Sequence, residues 1–248
     1  MNTATATATG RVHSWDLSTG VDGPGTRFVL FLSGCPLRCQ YCQNPDTWHM
    51  RDGTRTTVDA VMDRIEHCAE FLRASGGGVT LSGGEPLLQH AFTAQVFHRC
   101  RELGLHTALD TSGFLGAAAD DGLLADTNLV LLDIKSFHPG TYRKLTGQAL
   151  APTLEFAARL DRLGTPVWIR YVLVPGWTDR EADVEALASF VATLGNVERV
   201  DVLPFHKLGA AKYDALGIPF PLRDSPTPDA ELIARVRGQF RAHSLRAY

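Results

Sequence analysis

The sequence lacks the features that direct a chain to a membrane, a nucleic acid or an oxidising compartment. No apolar run approaches the ~20 residues that a transmembrane helix requires. No long run of one charge sign occurs, and 24 basic against 27 acidic residues leave a net charge of −3. That balance gives no electrostatic case for nucleic acid or for an anionic membrane. The Thr/Ala-rich start has neither the basic n-region nor the apolar core of a secretory signal. Residues 1–9 therefore read as a disordered tail, 10–248 as one domain, and the expected location is the cytoplasm. Cysteine is scarce: five residues, an odd number with three crowded together, argue against a disulfide scaffold and for a metal in a reducing compartment.

The crowded three are Cys35, Cys39 and Cys42, spaced C-x3-C-x2-C. This spacing can turn three thiolates toward one point. A closed structural zinc site normally takes four protein ligands. A four-iron cluster held by three cysteines keeps one iron free for another ligand. A zinc knuckle completed by His49 is the alternative reading of the same residues. Cys68 and Cys100 fall in helical patterns and read as small buried hydrophobes.

Strand-like and helix-like segments alternate along the chain. Residues 26–33, 78–82, 105–110, 129–134, 166–174 and 197–203 read as strands. Residues 58–74, 90–103, 120–125, 153–163, 181–194 and 228–241 read as helices, with Val61, Ile65, Cys68, Ala69 and Leu72 on one stripe of the first. Gly104 and Gly164 are placed to end two helices, and Pro228 to begin the last. Six such units predict an α/β fold with a parallel sheet and outer helices, a partial (β/α)6 TIM-like barrel. A flavodoxin-like open sheet fits the periodicity as well.

Each predicted strand ends in a polar or glycine-rich signature, on the rim where parallel α/β folds place their sites. In chain order these are the cysteines, Gly83-Gly84-Glu85-Pro86, Asp110-Thr111-Ser112-Gly113, Asp133-Ile134-Lys135, Val174-Pro175-Gly176-Trp177 after a strand that holds Arg170, and Pro204-Phe205-His206. Two glycines let a backbone approach a ligand without Cβ obstruction, so carbonyls and the Glu85 carboxylate could accept hydrogen bonds from an ammonium group. Asp133 and Lys135, two apart, share a strand face. They could meet a ribose, a cation or a carboxylate, or simply pair with each other. His206 could bind a ribose, act as a general acid, or pack on Phe205.

The cysteine spacing, with Tyr41 before the last cysteine, resembles the radical S-adenosylmethionine superfamily, and Gly83-Gly84-Glu85-Pro86 is similar to its GGEP motif. The likeness narrows with Gly10-Arg11-Val12-His13-Ser14, Val21-Asp22-Gly23-Pro24-Gly25-Thr26-Arg27, Cys42-Gln43-Asn44-Pro45-Asp46-Thr47-Trp48, Trp168-Ile169-Arg170-Tyr171 and Phe205-His206-Lys207-Leu208-Gly209. These resemble the pyruvate formate-lyase-activating enzymes from about Gly10 onward. The resemblance implies one [4Fe-4S] cluster on Cys35, Cys39 and Cys42, and S-adenosylmethionine held by Tyr41, Gln43, Gly83, Gly84, Glu85, Asp133, Ile134, Lys135, Arg170 and His206. It also implies a monovalent cation, Na+ or K+, at Asp110, Thr111, Asp133 and the Leu131 carbonyl.

The implied reaction passes one electron to S-adenosylmethionine, whose deoxyadenosyl radical removes a hydrogen atom from a glycine of pyruvate formate-lyase. The implied donor is a reduced flavodoxin or ferredoxin, and the expected state is a monomer that touches neither nucleic acid nor membrane. Another glycyl-radical enzyme as partner, or a small-molecule substrate, are the competing readings. Gln43, Ser112 and Pro86 depart from residues common in the family, which bears on partner fit and cofactor affinity. Only about 40 residues separate Cys42 from Gly83, with Cys68 alone among them. An insert carrying further four-iron clusters would need about four cysteines for each, so a single cluster is expected.

Overall fold

A computed structural model describes residues 7–248. Eight strands form one sheet: β1 (Thr9–Thr19), β2 (Thr26–Leu32), β3 (Thr54–Thr57), β4 (Gly78–Gly83), β5 (His106–Thr111), β6 (Leu129–Asp133), β7 (Val167–Leu173) and β8 (Val197–Pro204). Their order is β3-β1-β2-β4-β5-β6-β7-β8. From β2 through β8 every neighbouring pair is parallel. These six strands carry the predicted (β/α)6 arrangement, and because β3 and β8 do not pair the barrel stays open.

The helices are α1 (Val58–Ala74), α2 (His90–Glu102), α3 (Asp121–Ala125), α4 (Pro139–Thr146), α5 (Ala151–Leu163), α6 (Glu181–Val191), α7 (Ala210–Leu216) and α8 (Ala230–Ala242). Thr57, Asp120 and Asp229 cap α1, α3 and α8 by accepting the backbone N–H groups of Ala60, Leu123 and Leu232. Pro228 therefore precedes the cap of α8 instead of opening the helix. None of the helices is long and apolar enough to cross a membrane among the described residues.

Two strands depart from the sequence expectation. β1 and β3 are antiparallel additions at one edge. β1 is half exposed and polar, and its register shifts between Val12 and Ser14, so no simple alternation marks it. Of the stretch 1–9, residues 1–6 lie outside the described residues. Ala8 and Thr9 are tied in: the Val58 N–H donates to the Ala8 carbonyl, and Thr9 pairs with Thr57. The opposite edge is blunted by the last residues, where the Val202 N–H donates to Tyr248 and the Tyr248 N–H to Val200.

The strand alternation builds a floor and a ring above it. In β6, Leu129, Val130, Leu131 and Leu132 are all buried, because helices cover one face and the barrel interior the other. On the interior face Ala108, Leu129, Leu131 and Trp168 form an apolar cluster. Two residues further along the same strands come Asp110, Asp133 and Arg170, and Ser82 follows Thr80 in β4. In β5, β6 and β7 an apolar interior residue is thus followed, two positions on, by a charged one.

At the start of β2, Arg27 is fully buried and paired with neutral acceptors. Its Nε donates to Thr80 Oγ1 at 2.9 Å and its Nη2 to the Val79 carbonyl at 2.5 Å. Nη1 lies 3.1 Å from His106 Nδ1. A guanidinium only donates, so this imidazole nitrogen must accept and His106 must be neutral. Burial, then Arg27, push the His106 pKa down to about 4. In the unfolded chain it returns to about 6.5. Between these values the unfolded state binds more protons, so stability falls as pH drops through 6.5 and levels off near 4. Urea unfolding at about pH 7 and about pH 5 should show that loss, and His106→Asn, which keeps an acceptor, should show a flatter dependence. An equal pH slope in the variant would contradict the pairing.

Candidate active site

The cysteine loop follows β2 and is seated on the end of β4. The Gly84 N–H donates to the Leu32 carbonyl at 2.7 Å, and the Glu85 N–H to the Gly34 carbonyl at 2.8 Å. Gly83 has φ +102°, and a Cβ there would lie 2.5 Å from the Leu32 nitrogen. A Cβ on Gly84 would lie 2.3 Å from the Gly34 carbonyl oxygen. Real Cβ atoms do not come so close, so these two glycines are what allow the approach.

Further contacts fix the loop from outside. The Arg38 guanidinium stacks over Trp48, 5.2 Å from the ring centroid. Asp46 receives both His13 Nε2 at 3.1 Å and Lys212 Nζ at 3.0 Å, which joins the loop to β1 and α7. Gln43 clamps the segment after β8. Its amide nitrogen donates to the Tyr41 and His206 carbonyls, each at 3.1 Å, and its oxygen accepts the Gly209 N–H at 2.8 Å. Gln43 thereby links the cysteine loop to His206.

Cys35, Cys39 and Cys42 line one cavity of about 470 Å³, together with Tyr41, Gln43, Gly83, Gly84, Asp110, Thr111, Asp133, Lys135, Arg170 and His206. The side chains of three expected site residues, Glu85, Ile134 and Leu131, do not line it. Glu85 is 1% exposed, and both its oxygens are engaged. One accepts Thr111 Oγ1 at 2.6 Å; the other accepts Ser112 Oγ at 2.6 Å and the Ser112 N–H at 3.0 Å. Its carboxylate thus braces the end of β5 rather than facing the cavity. Ile134 belongs to the apolar core and the Leu131 side chain to the floor; the Leu131 backbone, whose carbonyl is the expected ligand, pairs across the ladder with Asp110. Ser82, Ser112, Asn44 and Trp48 line the cavity without having been singled out as site residues. The strand period could have found Ser82, which shares a face with Thr80 and lies beside Asp110.

Charge is balanced across the cavity wall. Asp110 Oδ2 accepts Ser82 Oγ at 2.6 Å and lies 3.1 Å from Arg170 Nη1. Lys135 Nζ lies 2.8 Å from Asp133 Oδ2 and 5.9 Å from the centroid of the Tyr41 ring. Burial disfavours the Arg170 and Lys135 charges, but the facing carboxylates outweigh it and hold both groups protonated. Burial pushes the Asp110 carboxyl up, against the pull of Arg170. Three buried polar atoms of lining residues have no partner: Asp110 Oδ1, Arg170 Nε and Tyr41 Oη. Buried groups left unsatisfied carry a desolvation cost of about 1–3 kcal/mol each, which a polar ligand in the cavity would relieve.

The thiols fit a cluster better than a lone ion. Burial raises all three, Cys39 to about 12, so the metal-free chain holds them protonated. At Cys42 hydrogen bonds from the Asn44 backbone and the Trp48 side chain favour the thiolate, and such bonds to sulfur tune an iron–sulfur centre. Among the described residues no three His, Cys, Asp or Glu side chains converge on a single metal ion. His49 is exposed and away from the cavity, so the Cys3His zinc set is not assembled. A cubane binds each cysteine at a different iron, which suits three cysteines that line one cavity without meeting at a single ion.

Comparison with known proteins agrees with this geometry. Residues 29–190 match the radical SAM superfamily model. The chain is 45% identical over 233 residues to the pyruvate formate-lyase-activating enzyme of Listeria monocytogenes, covering 91% of this chain and 93% of that one. It is 43% identical over 231 residues to pyruvate formate-lyase 1-activating enzyme of Escherichia coli K12, covering 92% and 94%. Among solved structures, a domain of pyruvate-formate lyase-activating enzyme from Bacteroides vulgatus aligns with TM-score 0.59 at 26% identity, over 69% of this chain and 98% of that domain. A radical SAM methyltransferase from Sphaerobacter thermophilus, at 19% identity and TM-score 0.63 over 94% of this chain and 71% of that one, shares the fold. With its cysteines, its polar ring and its near full-length relatives in agreement, the chain belongs to the radical SAM superfamily and, within it, to the pyruvate formate-lyase-activating enzymes.

Proposed function

We propose that this chain activates pyruvate formate-lyase by generating a glycyl radical on it. The observation that carries the reading is the shared cavity, lined by the three cysteines together with Asp110, Asp133, Lys135, Arg170 and His206. Cys35, Cys39 and Cys42 would hold one [4Fe-4S] cluster. When bound, the cluster and S-adenosylmethionine supply a one-electron cleavage of the sulfonium and a radical able to take hydrogen from a glycine α-carbon.

The protein's own part is to bind, orient and exclude water. The Gly83–Gly84 backbone approaches the cavity without side chains in the way. Asp133 and Lys135, already paired, present a carboxylate and an ammonium to a zwitterionic ligand. Gln43 keeps the His206 segment against the cysteine loop, so both walls hold their spacing around the ligand. A monovalent cation, Na+ or K+, is proposed beside Asp110 and Thr111, with Asp133 and the Leu131 carbonyl completing the site. The unpartnered, buried Asp110 Oδ1 supports it. A monomer in the cytoplasm is also proposed, in keeping with five free cysteines, and a reduced flavodoxin or ferredoxin as electron donor.

Cys39→Ala should abolish S-adenosylmethionine cleavage, because two thiolates do not retain the cluster. Anaerobic product analysis reads this out, and normal turnover in the variant would remove Cys39 from the ligand set. The reduced wild-type protein should raise a glycyl signal on pyruvate formate-lyase in electron paramagnetic resonance. A signal only on a different glycyl-radical enzyme, or a modified small molecule with no protein partner, would reassign the substrate.

Glu85→Gln tests the bracing role. Its amide nitrogen cannot accept from Thr111 or Ser112, so stability should fall by about 1–3 kcal/mol in thermal or urea unfolding. Unchanged stability with lost S-adenosylmethionine affinity would place the carboxylate on the cofactor instead.

A further inference from the structure

The wall that carries the cysteines has a second side. Cys35, Leu37, Cys39 and Tyr41 line the cavity. The residues between them, Pro36, Arg38 and Gln40, are bonded to α4 and the turn after it. The Arg38 N–H donates to the Thr146 carbonyl at 2.8 Å and the Gln40 N–H to the Leu145 carbonyl at 2.9 Å. Gln40 Nε2 reaches the Lys144 carbonyl at 2.7 Å, and Gln148 Nε2 the Pro36 carbonyl at 2.8 Å. The loop is thus a single layer of chain, with the cavity on one side and α4 on the other.

This outer side is basic. Arg38, Arg143 and Lys144 are exposed. The ion pairs of the described residues engage other cations and leave these three without a carboxylate. Neither 33–45 nor 134–154 contains an Asp or Glu, although the whole chain carries 27 of them and a net charge of −3. Arg38 also touches the cysteine backbone directly, donating to the Cys35 carbonyl at 2.6 Å and the Leu37 carbonyl at 2.8 Å.

We infer that this face is the docking surface for an acidic one-electron carrier protein, which reduces the cluster from behind the loop. The inference rests on the cluster reading above. One electron leaves the reduced redox group of the carrier and enters the oxidised cluster. The carrier ends one electron oxidised, the cluster one electron reduced, and no bond or proton has to move. Docking behind the loop leaves the cavity side clear for the nucleotide and the glycine. Unpaired exposed cations on a chain of net negative charge favour an acidic partner and steer its approach. Arg143 and Lys144 also complement the C-terminal dipole of α4. That role affects stability alone, and it accounts neither for Arg38 nor for the absence of acids on both segments.

The test uses the cluster-loaded protein, reduced flavodoxin as the acidic carrier, and the double variant R143E/K144E. Stopped-flow bleaching follows cluster reduction, and anaerobic calorimetry gives flavodoxin affinity. The variant should be reduced by flavodoxin roughly tenfold more slowly or worse at low salt, with weaker binding and a flattened salt dependence. Its iron content, and its reduction by photoreduced deazaflavin, should match wild type. A control with the same charge change elsewhere, R101E/R162E, should keep the wild-type flavodoxin rate. An unimpaired flavodoxin rate in R143E/K144E, or an equal loss in the control, would overturn the docking surface. Wild-type protein that holds no reducible cluster with either reductant would instead overturn the reading on which it rests.

Discussion

The close approach of two strand ends governs this site. β2 and β4 run parallel until Leu32 and Gly83, and there the backbone of one turn rests on the backbone of the other. The Leu32 and Gly34 carbonyls receive the N–H groups of Gly84 and Glu85. No side chain fits between them, so the cysteine loop is delivered onto the cavity at a fixed height. Glu85, locked by Thr111 and Ser112, extends the brace to β5. The glycine motif is therefore partly architectural: its backbone borders the ligand space while its carboxylate holds the rim together.

The second constraint is the period of the strands. Interior positions alternate, and the step from Leu131 to Asp133, from Ala108 to Asp110 and from Trp168 to Arg170 turns an apolar floor into a charged ring. Charges at such depth are tolerated because each faces an opposite one, Arg170 with Asp110 and Lys135 with Asp133. The atoms left unpaired, Asp110 Oδ1 and Arg170 Nε, mark where the protein alone does not complete its own hydrogen bonding. A polar ligand in the cavity would complete it.

Much of this was legible in the sequence, for physical reasons. Six buried parallel strands read as apolar runs because both of their faces are covered, and their polar ends announced the rim. The cysteines, Asp133, Lys135 and His206 stood out by their places at those ends, and Arg170 as a charge inside an apolar strand. Backbone pairing and side-chain direction were not legible. β1, between the edge strand β3 and β2, and β3 itself are largely exposed and polar, and the register shift in β1 hides the alternation. α4, eight residues long, begins at Pro139 under a His138 cap, too short for a periodic stripe to stand out. Glu85 looked like a ligand because a carboxylate beside two glycines reads as one, and only the turn geometry shows it facing Thr111 and Ser112. Ile134, flanked by two polar site residues, points the opposite way into the core, as strand period requires.

The central claim is that three thiolates hold a four-iron cluster whose remaining iron is open to S-adenosylmethionine. Electron paramagnetic resonance of the anaerobically reconstituted, reduced protein, recorded before and after adding S-adenosylmethionine, tests it most directly. The account predicts a reduced-cluster signal whose line shape changes on addition, because the cofactor takes up the open coordination position. A spectrum indifferent to S-adenosylmethionine, or a protein carrying one zinc and no iron, would contradict it.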